Sequence, residues 1–452
     1  MSWRPWKRCL RNTSFEIVTT SSCTALASTE PPNSLKSLKS VSSTSTLVNL
    51  TGSQSKSDPK ASSDSLSKGS LPSSAFNPYQ YPWSIHQLAL EQPELLEDGV
   101  ETRPPRRSQF PRYGHSLAST SDDRFVLFGG FVNEKPSNDV CIINPKDLTA
   151  TSLDTTGDIP SPRSGHTGVM YKNCMIVWGG ETRTDNHDLS ASDRSVYLLD
   201  LATSRWHRVT VDGELSPEGR SGHVAGVVDA KMYIFGGQRG DGQILNDVWV
   251  IHLAKCDVDY TAKWYHLNPG VNSPRPPALV NAAWTKYKAA LILFGGTDGE
   301  YHYSDVWVYN TGSRTWGKLR CDGYFPVPRE GHGVAMVADM FYVFGGRAPD
   351  GTFLGDLVGF QISCRRWHTF RGLGPAPSAR SEHTMISRKD QVYVLGGHRT
   401  GAMDASADES IPIIHILDAD RVFQLPPPRG APPRAVPVTS RTSNTLLTGT
   451  ES

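Results

Sequence analysis

The segment FVLFGG, residues 125–130, is an apolar run that ends in two glycines, and close variants of it return five more times. The later copies are MIVWGG (175–180), YIFGG (233–237), LILFGG (291–296), YVFGG (342–346) and YVLGG (393–397). The second glycines stand at 130, 180, 237, 296, 346 and 397, so the steps between them are 50, 57, 59, 50 and 51 residues. Self-similarity at a period near 50 residues indicates a repeat architecture with one supersecondary unit per copy.

Each copy is predicted to contain four strands, called a to d. Strand a follows one of the turns PRYGH (111–115), PRSGH (162–166), GRSGH (219–223), PREGH (328–332) and ARSEH (379–383). Strand b ends in Gly-Gly, and strand c is read in NDVCII (138–143), DRSVYLLD (193–200), NDVWVIHL (246–253), SDVWVYN (304–310) and GDLVGFQI (355–362). Strand d is read in TATSL (149–153) in the first copy, near a Trp in the next four, and in RVFQL (421–425) in the last. Alternation of apolar and polar residues fits stacked sheets.

Two residue types repeat for structural reasons. Glycine tolerates a positive φ and close backbone approach where a strand leaves a sheet; the glycines concerned are Gly129, Gly130, Gly179, Gly180, Gly236, Gly237, Gly295, Gly296, Gly345, Gly346, Gly396 and Gly397. A buried tryptophan covers a large area between neighbouring sheets; the tryptophans concerned are Trp206, Trp264, Trp316 and Trp367.

The Arg and His of the turns recur in five copies, so we expect them to serve a task that every copy shares. Bonding to the turn backbone or to the strand-c Asp is such a task, and ligand binding is the alternative. The fourth copy departs from the pattern, because it reads PRPPALVNAAW (274–284) where the other turns have Gly and His. Its turn must be built differently.

Composition limits the function classes. The chain has 452 residues and a formal net charge of +1, which argues against a general nucleic-acid or membrane-surface binder. Its seven cysteines form no C-x-x-C pair, so we expect no zinc site, no disulfide framework and a reducing, cytoplasmic compartment. No run of 18 apolar residues is present, so membrane insertion is not expected.

The ends of the chain differ from the repeats. Residues 1–75 are rich in Ser and Thr, which predicts a disordered tail, although the basic start MSWRPWKRCLRN leaves mitochondrial targeting open. Residues 76–109 are predicted to hold a closing strand and a linker. We expect 82–90 to pair with the last repeat, and packing beside the first repeat is the alternative. Residues 426–452 form a Pro/Ser/Thr tail, also expected to be disordered.

The ordered recurrence of R-x-G-H, F-G-G, N-D-V-W and Trp over 110–425 resembles the kelch-repeat propellers. The run YPWS, FPRYGH and LFGGFVNEKPSNDV resembles, more narrowly, fungal kelch proteins of the tip-elongation, cell-polarity type. The resemblance implies an all-β, six-bladed kelch propeller that acts as a scaffold in the cytoplasm, at the cell cortex or on the cytoskeleton. Such proteins usually continue into coiled coils, whereas 426–452 has no heptads.

In a four-stranded antiparallel unit the b–c and d–a connections emerge on one face. We predict that this face binds another protein through Arg183, Arg239, Arg347, His398, Arg399 and Arg275. Arginine suits carboxylate or phosphate, so the partner segment is expected to be acidic or phosphorylated. The alternative is a solvated ring of charge that is neutralised by Glu181, Asp185, Asp188, Asp241 and Asp298. Two long b–c loops, 181–192 and 398–410, lie on the same face.

A metal-dependent enzyme is the runner-up, because propellers also carry enzymes. Galactose-oxidase-type oxidases resemble this chain only in the propeller. Iron-dependent specifier proteins carry E-x-x-x-D-x-x-x-H in one loop; here Glu181 and Asp185 match, but Leu189 takes the third position and His187 lies nearby. We therefore expect no enzymatic activity, no metal, no cofactor and no small-molecule substrate. No Gly-rich phosphate loop opens a helix.

Overall fold

The protein is described from a computed structural model that covers residues 81–91, 110–183, 189–190, 193–267, 273–399 and 412–422. Within those residues the chain is almost entirely β, with one helix of four residues. The predicted tails, 1–75 and 426–452, and the linker 92–109 lie outside them.

The strands are short, most of them two to five residues long. In chain order they are β1 (Trp83–Gln87), β2 (Ala89–Glu91), β3 (Arg112–Tyr113), β4 (Ser116–Ser119), β5 (Phe125–Val132), β6 (Lys135–Asn144), β7 (Thr149–Leu153), β8 (Thr156–Gly157), β9 (Arg163–Ser164), β10 (Thr167–Tyr171), β11 (Cys174–Trp178), β12 (Glu181–Arg183), β13 (Leu189–Ser190), β14 (Val196–Asp200), β15 (Arg205–Val211), β16 (Arg220–Ser221), β17 (Val224–Val228), β18 (Lys231–Phe235), β19 (Gln238–Arg239), β20 (Val248–His252), β21 (Thr261–Leu267), β22 (Ala283–Tyr287), β23 (Ala290–Phe294), β24 (Val306–Asn310), β25 (Thr315–Lys318), β26 (Asp322–Gly323), β27 (Gly333–Val337), β28 (Met340–Phe344), β29 (Leu357–Gln361), β30 (Arg366–Thr369), β31 (Thr384–Arg388), β32 (Gln391–Leu395) and β33 (Ile413–Asp418). The helix α1 is Ala419–Val422.

Antiparallel runs of four strands account for most of these elements. We call them repeats 1 to 6, with strands a to d in the order β4-β5-β6-β7, β10-β11-β14-β15, β17-β18-β20-β21, β22-β23-β24-β25, β27-β28-β29-β30 and β31-β32-β33-β1. The runs are not all separate sheets, because β15 and β21 pair in parallel and join repeats 2 and 3. Each strand a lies beside the next one, and β31 lies beside β4. The sheets are therefore arranged around an axis, as in a propeller.

The segment before the repeats bridges the first and the last of them. β1 pairs antiparallel with β33, with Trp83 opposite Leu417, so the predicted pairing of 82–90 with the last repeat holds for Trp83–Gln87. β2 continues from it and pairs in parallel with β7, the outer strand of repeat 1. The prediction of strand d in RVFQL was wrong for the part described, because Arg421 and Val422 end the helix α1. The outer position of repeat 6, beside β33, is occupied by β1.

Six turn residues, which we call the turn ring, encircle the axis. Each donates its backbone N–H to the carbonyl of the equivalent residue one repeat away, over 2.8 to 3.0 Å, and Gly114 N–H to Glu382 O closes the ring. All six have φ between 54° and 63°; they are Gly114, Gly165, Gly222, Asn281, Gly331 and Glu382. A left-handed turn usually requires glycine. Asn281 and Glu382 are therefore exceptions that place side chains at the centre.

The Gly-Gly phrase is required by its neighbours. Gly129 and Gly130 have φ of 65° and 87°. A Cβ on Gly129 would lie 2.9 Å from the carbonyl oxygen of Arg163 in the next repeat, and a Cβ on Gly130 would lie 2.6 Å from that of Tyr113 in its own turn. The predicted need for positive φ and close approach is confirmed.

The core lies between neighbouring repeats, where the predicted tryptophans pack. Trp206, Trp264, Trp316 and Trp367 are at most 2% exposed. Each contacts an aromatic residue of strand b in the preceding repeat at 5.0 to 5.5 Å between ring centroids: Phe128, Trp178, Phe235 and Phe294 in turn. Trp83 of β1 packs in the same way on Phe344, at 5.9 Å. The aromatic pairs thus stabilise each junction between repeats.

Candidate functional site

The turn arginines belong to the scaffold. Arg112, Arg163, Arg220 and Arg329 are at most 1% exposed, and each donates to the carbonyl of the first Gly of its own Gly-Gly phrase. Each also pairs, at 2.6 to 2.8 Å, with an acid that lies within strand c or just before it; the acids are Asp139, Asp193, Asp247 and Asp356. The prediction of a shared structural task is confirmed for these four arginines. Buried guanidinium groups with carboxylate partners hold the turn against strand c.

Repeats 4 and 6 each carry half of this pair. In repeat 4, Leu279 takes the position of the turn arginine. Its carbonyl oxygen lies against Gly236 of repeat 3, just as the carbonyl oxygen of Arg220 lies against Gly179 of repeat 2. The acid of that repeat, Asp305, pairs instead with Lys318 at 2.9 Å. In repeat 6, Arg380 is present and only 5% exposed, but Ile413 stands where repeats 1, 3, 4 and 5 have the acid.

The turn histidines are buried and neutral. Desolvation, with the nearby Arg163, lowers the pKa of His166 to about 3. Its Nε2 lies 2.9 Å from the Ser116 hydroxyl of the preceding repeat, and His223 and His115 meet Thr167 and Thr384 in the same way. These contacts link neighbouring repeats, so the structural interpretation of the histidines is confirmed for these three.

Two of the predicted binding arginines are engaged by neighbouring side chains. Arg239 forms an ion pair with Asp241 at 3.0 Å. Arg347 donates from Nε to Glu330 Oε1 at 3.0 Å and from Nη2 to the same oxygen at 2.5 Å. Local acids therefore neutralise part of the cationic face, as the alternative interpretation supposes.

The other predicted binding residues differ in their setting. His398 and Arg399 are exposed, and the His398 ring lies 5.4 Å from those of Tyr113 and Phe353. Arg275 is exposed too, but its assignment to the turn was wrong: the turn of repeat 4 is 279–282, and the Pro-rich run before it shifts the register. For Arg183 only the backbone, in β12, is described.

Three carboxylates border the turn ring. Glu330 is 4% exposed; burial opposes its charge, but bonds from Arg347 and Asn281 hold the pKa of this carboxyl below its usual value. Desolvation raises the pKa of Glu382, which stands in the ring itself; Glu330 and Glu181 add to the rise, while His398 and Arg347 oppose it. Sequence reasoning missed Glu330 and Glu382. The signal was present in PREGH, where Glu330 takes a position that is Tyr or Ser in the other arginine-containing turns, and in ARSEH, where Glu382 takes the position of glycine.

Exposed apolar side chains concentrate on the face of the b–c and d–a connections, which we call the loop face. Six lie in those connections: Ile159 (44% exposed), Leu215 (67%), Tyr301 (49%), Tyr324 (38%), Phe325 (62%) and Val327 (39%). Among the described residues, the opposite face shows one such residue in a c–d connection, Val258, which is 75% exposed. Tyr324, Phe325 and Val327 stand almost side by side in the connection between repeats 4 and 5. Apolar surface left in water marks interaction sites more often than it serves the fold.

The described part of the chain offers neither a cluster of metal-binding side chains nor a membrane-spanning helix. It contains no group of three or more His, Cys, Asp or Glu side chains able to hold a metal ion. In the 181–192 loop, which was compared with the iron-binding motif, Glu181 accepts a hydrogen bond from the Ser221 hydroxyl at 2.8 Å. Asp185 and His187 lie outside the described residues. No helix in the described ranges is long and apolar enough to cross a membrane.

Comparison with known proteins agrees with this architecture. The KLHDC2/KLHL20/DRC7 Kelch-repeats domain matches residues 96–191 and 165–397. The chain is 34% identical over 316 residues to Tip elongation aberrant protein 1 of Schizosaccharomyces pombe, which covers 69% of this chain and 26% of that protein. It is 27% identical over 264 residues to Kelch domain-containing protein 1 of Mus musculus, covering 53% and 64% respectively.

A third relative is the Leucine-zipper-like transcriptional regulator 1 homolog of Drosophila melanogaster, 26% identical over 296 residues, or 63% of this chain and 29% of that protein. The matches thus span between about a quarter and two thirds of the length of these relatives. The two matched ranges together extend from 96 to 397 and so cover most of the repeats described above. The chain therefore belongs to the kelch-repeat family.

Proposed function

We propose that this protein is a non-catalytic, six-bladed kelch scaffold that binds a segment of another protein on its loop face. Each of repeats 1 to 6 is one blade in this proposal. The hydrogen-bonded turn ring supports the blade count, because it returns from Glu382 to Gly114 after six turns.

The observation that carries the proposal is the uneven distribution of exposed apolar side chains. Six of them lie in connections of the loop face, against Val258 in the connections of the opposite face. Keeping Phe325 and Leu215 more than 60% exposed forgoes the free energy of burying them, about 1.5–3 kcal/mol per side chain. A partner segment that covers them would recover part of that free energy.

Charge on the same face suits a partner segment that also carries acids or phosphates. Arg399 and Arg275 are exposed, with no ion pair to another described residue, and His398, which precedes Arg399 in the chain, is exposed as well. The carboxylates Glu181, Glu330 and Glu382 stand nearer the axis and would repel an acidic group there. We therefore place the acidic part of the segment over repeat 6 and away from the turn ring.

The relationship to a tip-elongation protein suggests a process. The name of the Schizosaccharomyces pombe relative refers to tip elongation. We propose a role in cell polarity or cytoskeletal organisation, in the cytoplasm or at the cell cortex. The match covers 26% of that relative, so functions of the rest of that protein are not carried over to this chain.

The test is affinity capture from the native cells with the full chain and two matched variants. Phe325→Ser combined with Tyr324→Ser removes apolar surface from the loop face, and Val258→Ser removes it from the opposite face. We expect a set of proteins captured by the wild type to be lost with the first variant and kept with the second. Equal capture by all three chains, or loss only with Val258→Ser, would refute the proposed binding face. Stoichiometric iron or copper in the purified chain would instead support the metal-dependent enzyme.

A further inference from the structure

Repeat 6 contains a buried arginine without the acid that its counterparts have. Arg380 is 5% exposed and donates from Nη1 to Gly396 O at 2.8 Å and from Nε to Ser378 O at 3.0 Å. Its Nη2 reaches only the Ser378 hydroxyl, at 3.1 Å. In repeat 5, by contrast, both Nη atoms of Arg329 bind Asp356, each at 2.8 Å. Among the described residues, no carboxylate lies within ion-pairing distance of Arg380.

Strand register shows what has replaced the acid. In repeat 5, Phe344 pairs with Leu357, and Asp356 is the residue just before. In repeat 6, Leu395 pairs with Ile414, so Ile413 occupies the equivalent position. The carbonyl contact to the Gly-Gly phrase is kept in both repeats. Among its described residues, repeat 6 therefore retains the cationic half of the pair without the anionic half.

The surroundings of Arg380 add positive charge and an unfilled hydrogen-bonding position. Burial, and then repulsion from Arg399, lowers the pKa of Arg380 to about 10, so the folded chain leaves this charge poorly compensated. His415 is 7% exposed, interacts electrostatically with both arginines, and its buried Nδ1 has no hydrogen-bond partner. A buried cation without a counter-ion is costly, and an oxyanion would relieve that cost.

The position of the missing acid is reachable from solvent. The carboxyl side chains that occupy it in other repeats are 24% exposed for Asp247, 30% for Asp139 and 38% for Asp356. Ile413 itself is only partly buried. An oxyanion entering beside Ile413 would meet Nη2 of Arg380 with Arg399 on the open side.

We propose that repeat 6 contains an oxyanion site, formed by Arg380 with Arg399 and His415 beside it, which takes the carboxylate or phosphate group that Ile413 fails to supply. The anion restores the two-pronged contact to the guanidinium that Asp139, Asp247 and Asp356 provide elsewhere. Its source is either a free anion or an acidic side chain of a partner; the second source rests on the proposed function.

The first experiment measures thermal unfolding of the full chain in phosphate or acetate, against chloride at equal ionic strength. We expect phosphate at low millimolar concentration to raise the Tm of the wild type in a saturable manner. Ile413→Asp supplies an internal carboxylate, so phosphate should no longer raise the Tm of this variant. Its apparent affinity for phosphate should be weaker than that of the wild type by at least roughly tenfold. Ile413→Asn has nearly the same size without the charge and should keep the response.

A second variant keeps the proposal testable if Ile413→Asp does not fold. Arg399 is exposed, so Arg399→Ala should fold, and it should weaken phosphate binding by roughly tenfold or less because it removes one neighbouring charge. An equal phosphate response in the wild type, Ile413→Asp and Arg399→Ala would overturn the proposal. The proposal would also be overturned if the wild type did not respond to phosphate and a variant with Asp404, Asp408 and Glu409 changed to Asn did. In that case one of these acids of the chain itself would supply the carboxylate.

The two sources are separated by the capture assay described above. Loss of partners with Ile413→Asp, but not with Ile413→Asn, identifies an acidic group of a partner as the anion. Unchanged capture together with a phosphate response identifies a free anion. A phosphate response also stands by itself, so the oxyanion site survives if the proposed loop-face partner does not.

Discussion

Replacing Asp247 with Asn tests whether the turn arginines hold the repeats together. Arg220, which is 1% exposed, donates to Asp247 from Nη1 at 2.6 Å and from Nη2 at 3.1 Å. Asp247 also accepts a hydrogen bond from Trp249 Nε1 at 2.7 Å. Asparagine keeps one acceptor oxygen but presents an NH2 group to a second donor. Arg220 would then remain buried with only the carbonyls of Gly236 and Glu218 as full partners.

The magnitude follows from burial. Breaking a buried ion pair by removing one partner costs about 3–5 kcal/mol, and the 24% exposure of the Asp247 side chain admits water that screens part of it. We expect Asp247→Asn to lower the free energy of unfolding by about 2–3 kcal/mol.

The assay is urea unfolding followed by tryptophan fluorescence and circular dichroism. Asp305→Asn is the matched control, because the turn of repeat 4 has Leu279 instead of arginine and Asp305 pairs with a half-exposed Lys318. This control should cost less than about 1 kcal/mol. Equal losses in the two variants would refute the reasoning that buried arginine pairs stabilise the turns.

Three further predictions concern stability. Desolvation opposes the charge of Asp139, Asp193 and Asp247, but hydrogen bonds from the turn arginines outweigh it and lower the pKa of these carboxyls. The stability that the charged carboxylates contribute is therefore present above their unfolded-state pKa, about 4, and is lost as pH falls through the folded-state pKa. An acid titration of stability should therefore fall less steeply for Asp247→Asn than for the wild type, and parallel curves would contradict this. Trp316→Ala removes a side chain that is 1% exposed and contacts Phe235 and Tyr309, so calorimetry should show a loss of about 3–5 kcal/mol in the free energy of unfolding. Tyr265→Ala, on an outer strand, is the control, and a smaller loss for Trp316→Ala than for this control would contradict the packing argument. Ala283 stands in repeat 4 where Ser116 and Thr167 bind a histidine of the next repeat, and His332 Nε2 is buried without a partner, so Ala283→Ser should gain about 0.5–1.5 kcal/mol. Ala283→Val is its control of similar size, and a gain in both variants would exclude the hydrogen bond as the cause.

Much of the scaffold was predictable because each repeat records the same local demand. Gly129 and Gly130 are glycine because the neighbouring carbonyls leave no room for a Cβ. Trp206 and its equivalents fill the junctions between repeats, and the turn arginines bind the strand-c acids. A demand that recurs every 50 or so residues is visible in one sequence without any alignment.

The misassignments share a cause, since each concerns register between distant segments. Arg275 was counted with the turn arginines, but the contact of the Leu279 carbonyl with Gly236 places Leu279 at that position. The strand predicted in 421–425 competes with β1, which comes from more than 300 residues earlier. Local sequence carries no signal for which of two segments reaches an open edge first.

The sequence by itself determined the period, the all-β class, the glycine turns and the aromatic junctions, because backbone sterics and apolar burial act within each repeat. Three features became visible only in the folded chain: Asn281 and Glu382 stand in a closed ring, Glu330 engages Arg347, and Ile413 takes the place of an acid beside Arg380. The ring depends on contacts between neighbouring repeats, and the two charge features depend on which side chains of a repeat the strand register brings together.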